Sequence, residues 1–305
     1  TFGARMPFFP IGITAGASTP TTAVPPLCPF LLPLQAAPHR CLLCAQDKQT
    51  GHSQRSDSLP YPQALANLLS ELERHPMEQA ISRPIELAFY GGTFTALPES
   101  LQMECLTLAM QAKEKNIVCR VRCSTRPDAL CPDRLEALRH AGLDLVELGI
   151  QSFHTEALAA VQRGYSGDTA REGCRLIKES GLELGIQLLP GMPGSTPQRF
   201  SEDVEEALAL SPSCLRFYPC LVVDGTPLAT RWRMGQYAPW ELDTTITTLG
   251  KALASAWARR IPVIRLSLAP ERELDESILA GPAIRLSAIS SKVKRCLKQF
   301  AHTSR

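Results

Sequence analysis

The sequence predicts an α/β fold in which parallel strands, joined by helices, curl into a partial or wide barrel around a polar lumen. Three observations predict it. Short apolar runs alternate with helix-length segments from about residue 29 to residue 268, which is the order of βαβ units. Several of those strands carry polar residues on one face, although the strands of an ordinary doubly covered sheet read as continuous apolar runs. Segments rich in Gly, Pro and hydroxyl side chains fall at the ends of consecutive strands, the edge where βα folds bind ligands.

Taken in order, Pro29–Leu34 reads as the first strand, followed by a helix over Pro62–Arg74. The next strand, Ile85–Tyr90, leads to a helix over Glu99–Lys115, and Ile117–Cys123 to one over Pro132–His140. After the strand Leu143–Ile150 the spacing gives two helices, Thr155–Gln162 and Asp168–Ser180. The strand Leu182–Leu189 precedes a helix over Pro197–Leu210, and Cys214–Tyr218 precedes one over Trp240–Arg259. Val263–Leu268 is the last strand. Residues 1–28, rich in Pro, Thr, Gly and Ala without periodicity, read as an irregular lead-in, and residues 269–305 as a C-terminal extension.

The polar lumen follows from the period of two along a strand. Arg120, Arg122 and Ser124 alternate with Cys119, Val121 and Cys123; Glu147, Gly149 and Gln151 with Val146, Leu148 and Ile150; Glu183, Gly185 and Gln187 with Leu182, Leu184 and Ile186. Helices must cover the apolar faces, so the polar faces meet in a common interior. Arginines there need carboxylates or an anionic ligand as partners.

The 305 residues suffice for one large domain, and a net charge of +2 neither requires nor excludes a nucleic-acid partner. No apolar stretch reaches the length of a membrane span and no secretory signal opens the chain, so a cytoplasmic protein is expected. Eleven cysteines, odd in number and scattered, read as reduced thiols. Cys105, Cys119, Cys123, Cys174 and Cys214 lie in apolar patterns and read as packing residues. Cys41-Leu42-Leu43-Cys44 differs: two thiolates at that spacing, just after a strand, mark a metal or redox site.

The strand-end motifs are Tyr90-Gly91-Gly92-Thr93-Phe94-Thr95, Ser124-Thr125-Arg126-Pro127-Asp128, Glu147-Leu148-Gly149-Ile150-Gln151-Ser152, Arg163-Gly164-Tyr165 and Leu189-Pro190-Gly191-Met192-Pro193-Gly194. With the Cys-x-x-Cys pair, this series resembles the radical S-adenosylmethionine superfamily, in the branch of the elongator catalytic subunits and near the oxygen-independent coproporphyrinogen oxidases. The resemblance covers about residues 29 to 282 and includes Arg216-Phe217-Tyr218-Pro219 and Gly225-Thr226-Pro227-Leu228. It implies a (βα)6 partial TIM-type barrel, a [4Fe–4S] cluster held by three cysteines, and S-adenosylmethionine chelated at the free iron. It implies as well cleavage of the sulfonium to methionine and a 5′-deoxyadenosyl radical that takes hydrogen from substrate. Gly91, Gly92 and Thr93 match the motif that meets the methionine amino group; Ser124, Arg126, Glu147, Gln151 and Gln187 fall where such enzymes contact ribose, carboxylate or substrate. A flavodoxin or ferredoxin as electron donor, a tRNA base or a small molecule such as a tetrapyrrole as substrate, and no membrane are the implied partners.

The chain departs from the family spacing at one place. Where Cys-x-x-x-Cys-x-x-Cys puts its first cysteine stands Ala37, in Ala36-Ala37-Pro38-His39-Arg40-Cys41. Three readings stay open: Cys28 supplies the third ligand beside Cys41 and Cys44, His39 or an exogenous group completes the cluster, or the barrel is a degenerate, non-catalytic binding module. The acetyltransferase domain of the fuller elongator subunits is expected to be absent, since only about forty residues follow Leu266. The basic stretch Leu286–Phe300, with Lys292, Lys294, Arg295 and Lys298, reads as a solvated helix face.

Overall fold

A computed structural model describes residues 27–31, 41–43, 61–74, 84–266 and 276–282. Seven strands form one sheet: β1 (Leu27–Leu31), β2 (Ile85–Tyr90), β3 (Val118–Thr125), β4 (Leu145–Gln151), β5 (Glu183–Leu188), β6 (Cys214–Phe217) and β8 (Val263–Arg265). They pair in that order, each parallel to the next, and β1 and β8 are the two ends of the sheet. The helices are α1 (Tyr61–Arg74), α2 (Glu99–Glu114), α3 (Pro132–His140), α4 (Thr155–Ala160), α5 (Gly167–Glu179), α6 (Pro197–Ala209), α7 (Pro227–Arg233) and α8 (Leu242–Ala258). No helix among the described residues is long and apolar enough to cross a membrane.

The helix starts are chemically marked. Ser166, Thr196 and Thr226 each accept a hydrogen bond on the side-chain oxygen from the backbone three residues on, and Pro197 and Pro227 follow directly with φ already set for a helix. The inward faces are apolar at helical spacing, as in Leu65, Leu68, Leu69 and Leu72 of α1. They cover one face of the sheet, where Leu87, Phe89, Val121, Cys123, Val146, Leu148, Ile186, Leu188, Leu215 and Phe217 form the core. The other face is polar and concave. Side chains two strands apart touch across it, Tyr90 of β2 on Glu147 of β4 and Arg216 of β6 on the same Glu147. Strands two apart in a flat sheet lie about 9.6 Å from each other, so these contacts require a sheet that curls. The expected partial barrel with a polar lumen is the observed one.

Four details differ from the sequence reading. β1 starts at Leu27, two residues earlier than expected, so Cys28 is a strand residue; residues 32–34 are outside the described ones. A short helix, α7, forms at the Thr226-Pro227 start, and a two-residue strand β7 (Val222–Val223) pairs antiparallel with β9 (Ile278–Ala280). The C-terminal segment thus packs back onto the loops that follow β6. Of the five cysteines read as packing residues, Cys105, Cys123, Cys174 and Cys214 are buried, whereas Cys119 is exposed, at the irregularity where the pairing of β2 with β3 passes from Val118 to Arg120.

Candidate active site at the carboxyl edge of the sheet

The lumen floor is an ion-pair lattice. Glu147 accepts from Arg122 Nη1 at 2.8 Å through Oε1, and from Arg216 Nη1 at 2.6 Å through Oε2. The Tyr90 hydroxyl donates to the same Oε1, and Arg122 reaches on to Glu86. The Arg216 guanidinium lies 4.6 Å from the centre of the Tyr90 ring and 5.5 Å from that of Tyr218. Burial by itself would raise the Glu147 pKa, but Arg216 and Arg122 together hold it below the ordinary carboxylate value. Burial drives the Tyr90 phenol well above its ordinary value. Arg120 reaches Glu86 at 3.5 Å as well and pairs with Glu183, so three carboxylates and three guanidiniums balance one another at the base of the lumen. Of the two partners expected for the lumen arginines, carboxylates or an anionic ligand, the protein's own carboxylates are the ones observed.

Above the floor sit the strand ends. Gly91 takes φ 93°, a left-handed conformation that glycine adopts without strain, where β2 turns away from the lumen. Thr93 is buried, and its carbonyl starts the single 3-10 turn at Phe94–Ala96. Ser124 pairs in register with Glu147 and so shares its lumen face, and Gln187 pairs with Arg216 likewise; both are half-buried. Gln151 closes β4 with φ 70°, in the left-handed region that a residue with a Cβ rarely takes, next to a break in register between Leu148 and Gln151. It is 7% exposed and its Oε1 has no hydrogen-bond partner. Backbone strain and an orphaned polar atom thus fall together in one residue at a strand end. Gly149 leaves the room: a Cβ there would stand 3.0 Å from Gln151 Nε2 and 3.3 Å from Arg163 Nη2.

Not every expected contact residue faces that space. Arg126 forms a two-pronged ion pair with Asp128 at 2.9 and 2.7 Å and donates to the Arg163 carbonyl at 2.7 Å, so it braces the loop after β4. Glu147 has both oxygens engaged in the floor. Arg163 and Tyr165 were visible as a motif without a role. Arg163 donates to the Gly149 carbonyl at 2.9 Å and to the Tyr165 hydroxyl at 3.0 Å, and its Nη1 lies 3.8 Å from Cys41 Sγ. Asp203, on α6, is a further buried acid that the sequence reading missed. It accepts from Ser152 Oγ at 2.8 Å and from Phe153 N at 2.6 Å and so fixes the start of the β4–α4 loop. Its signal was an acid on the apolar stripe Phe200, Val204, Ala207 of a helix.

Cys41 is 2% exposed, and its turn is docked on the loop between α4 and α5 and on α7: Leu42 N donates to the Val161 carbonyl at 3.1 Å, and Leu228 N to the Leu42 carbonyl at 3.1 Å. Cys44, Ala37 and His39 are outside the described residues. Cys28 is not brought to Cys41. It pairs with Leu87 inside β1, on the apolar face shared with that residue, and burial pushes its thiol up to about 11. In register with Leu87, the Cys28 side chain is on the face covered by the helices, opposite the lumen. Among the described residues no three His, Cys, Asp or Glu side chains form a metal-binding group.

A curled parallel sheet with a cysteine turn and a glycine pair at its carboxyl edge defines a class. Residues 32–207 match the family model described as the radical SAM superfamily, and residues 212–299 the radical SAM C-terminal domain. The chain belongs to the radical SAM superfamily. It is 30% identical over 224 residues to a tRNA uridine(34) acetyltransferase of Methanocaldococcus infernus, a match covering 66% of this chain and 41% of that one. It is 27% identical over 197 residues to elongator complex protein 3 of Mus musculus, covering 57% and 36%. The fold resembles that of the archaeal Methanocaldococcus infernus Elp3 (TM-score 0.64, 24% identity, 79% of this chain and 59% of that one). It also resembles coproporphyrinogen III oxidase from Escherichia coli (TM-score 0.52, 18% identity, 77% and 53%). The chain spans less than half the length of the two curated relatives.

Proposed function

We propose that this chain is a cytoplasmic radical SAM enzyme domain that binds S-adenosylmethionine across the carboxyl edge of the sheet and acts on a tRNA base. The observation that carries the reading is the grouping of Gln151, strained and with an unpartnered amide oxygen, with Gly149, Arg163 and the buried Cys41 sulfur at one strand end. Gly91, Gly92, Thr93, Ser124, Gln151 and Gln187 are the residues toward which the cofactor would lie. Glu147, with Arg122 and Arg216, is the fixed floor beneath it, and Arg126 braces the rim. Cys41 and Cys44 would ligate a [4Fe–4S] cluster. The donor chemistry fits for those two: both are soft sulfur donors of the kind iron–sulfur clusters take, and the buried Cys41 sulfur lies 3.8 Å from Arg163 Nη1. When bound, the cluster, reduced by a flavodoxin or ferredoxin, supplies the electron that splits S-adenosylmethionine into methionine and a 5′-deoxyadenosyl radical. The protein's own contribution is to hold the sulfonium in a dry, preorganised lumen whose charges are already balanced. The tRNA substrate is supported by the name of the archaeal relative.

Anaerobic reconstitution with iron and sulfide tests this. The expected result is a visible cluster absorption and, after reduction with S-adenosylmethionine present, equal yields of methionine and 5′-deoxyadenosine. Higher iron content in Ala37→Cys is expected as well, because it restores a third thiolate. A chain that takes up no cluster, and gains none with Ala37→Cys, refutes the reading.

A further inference from the structure

A residue with a Cβ stays at φ 70° only where its surroundings hold it there, and Gln151 is held from two sides. On the β5 side, Leu189 N donates to the Gln151 carbonyl at 3.0 Å. On the other, both residues that follow are bound by one carboxylate: Ser152 Oγ donates to Asp203 Oδ2 at 2.8 Å, and Phe153 N to Asp203 Oδ1 at 2.6 Å. His154 N donates in turn to Ser152 Oγ at 3.1 Å, so the hydroxyl is fixed from two directions. Ser152, Phe153 and Asp203 are all buried, and bulk water does not reach these donors. The carboxylate has its own anchor, apart from β4. On α6 it stands three residues past Phe200, whose ring meets Phe217 of β6 edge-on at 5.6 Å and Trp240 at 6.4 Å. What the arrangement aims is the Gln151 amide. Its Nε2 lies over Gly149, where a Cβ would come within 3.0 Å of it, and its Oε1 has no hydrogen-bond partner.

We propose that Asp203 is a positioning residue, which holds Gln151 in its left-handed conformation and so keeps the amide over Gly149, at the edge where the cofactor would lie; what the amide is aimed at rests on the proposed S-adenosylmethionine site. The physical ground is a balance between two effects. Hydrogen bonds to a buried carboxylate are charge-assisted, and a buried Phe153 N without an acceptor is costly, which together outweigh the backbone strain two residues away. Without the carboxylate the peptide after Gln151 is free to turn back. The strain is then recovered, and the amide is carried off Gly149.

A double-mutant cycle tests this. Unfolding free energies from urea denaturation, at a single pH, are compared for the wild type, Asp203→Ala, Gln151→Gly and the double variant. In the wild-type background, relaxation of Gln151 offsets part of what Asp203→Ala loses. Glycine has no strain to recover, so the same substitution is expected to cost more in the Gln151→Gly background. The expected difference is about tenfold in the unfolding equilibrium constant, about 1.4 kcal/mol. A carboxylate that only braces the loop gives additive values. If Asp203→Ala does not fold, Ser152→Ala, which removes one of the two donors, replaces it in the same cycle. Isothermal titration calorimetry with S-adenosylmethionine reads the consequence: about tenfold weaker binding by Asp203→Ala, and wild-type binding by Asp203→Asn, which keeps an acceptor for Phe153 N. Additive free energies, or an Asp203→Ala chain that binds as the wild type does, overturn the proposal. No binding by the wild-type chain refutes the proposed cofactor site, and a non-additive cycle then still supports the holding of Gln151 by Asp203.

Discussion

Asp203 sits where a helix should present an apolar side chain. It is 2% exposed, and burial raises its pKa from 3.8 to about 6 even though Phe153 N and Ser152 Oγ both donate to it. His154 Nε2 lies 4.0 Å from its Oδ1 and moderates the rise, while Glu206 adds to it. Because the folded value is the higher one, the protonated acid favours the fold. That contribution is full below pH 3.8 and is lost as pH rises through about 6, amounting to about 3 kcal/mol at most. Asp203→Asn keeps an acceptor for Phe153 N without a charge. Its unfolding free energy, followed by urea denaturation between about pH 4 and pH 6, is expected to lack the fall seen in the wild type; equal slopes would refute the assignment. Residues of this kind show the limit of reading a sequence. The lumen arginines were legible from strand alternation, but which carboxylate each would meet depends on the curl of the sheet.

At the scale of elements, nearly all of the order along the chain could be read beforehand, because each strand and helix has its own period and its own stop signal. β4 is the exception that matters. Its final residue, Gln151, turns to φ 70° and breaks register with β5, and nothing in Ile150-Gln151-Ser152 announces that. The conformation costs of order 1–3 kcal/mol and is retained where it aims a side chain. Gln151→Gly releases the strain and removes the amide. It is expected to melt at or above the wild-type temperature while binding S-adenosylmethionine about tenfold more weakly, near 1.4 kcal/mol by isothermal titration calorimetry on the cluster-loaded chain. Unchanged affinity would take Gln151 out of the site. The start of β1 differs for a related reason: the pairing of Leu27 with Glu86 and of Cys28 with Leu87 extends the strand two residues ahead of Pro29, and local preference does not announce it.

Across the whole molecule the lattice Glu86–Arg122–Glu147–Arg216 ties β2, β3, β4 and β6 together through the lumen. A buried pair of this type adds little over an apolar core, but breaking it leaves charge stranded. Glu147→Gln leaves Arg122 and Arg216 facing a neutral amide, and a loss of about 3–5 kcal/mol is expected in the unfolding free energy from urea denaturation at neutral pH. A loss near zero would mean that the lumen admits water freely at this level. The same lattice explains why the site residues read from family motifs divide into two groups. Gly91, Gly92, Thr93 and Gln151 at the carboxyl edge, with Ser124 and Gln187 level with the floor, form one group, whereas Glu147 and Arg126, ion-paired within the protein, form the other.

The sequence by itself determined the α/β class, the order of elements, the polar lumen and the strand-end motifs, because each is a local pattern of period, turn chemistry or spacing. It determined as well that position 37 is alanine where the family spacing has a thiol. The tertiary structure alone decided that Cys28 belongs to the core, that both Glu147 oxygens accept from arginines of the lumen floor, and that Arg163 reaches Cys41 from 122 positions away in the chain. Those are contacts between distant segments. They depend on how far the sheet curls and where each strand pairs, and no window of sequence holds that information.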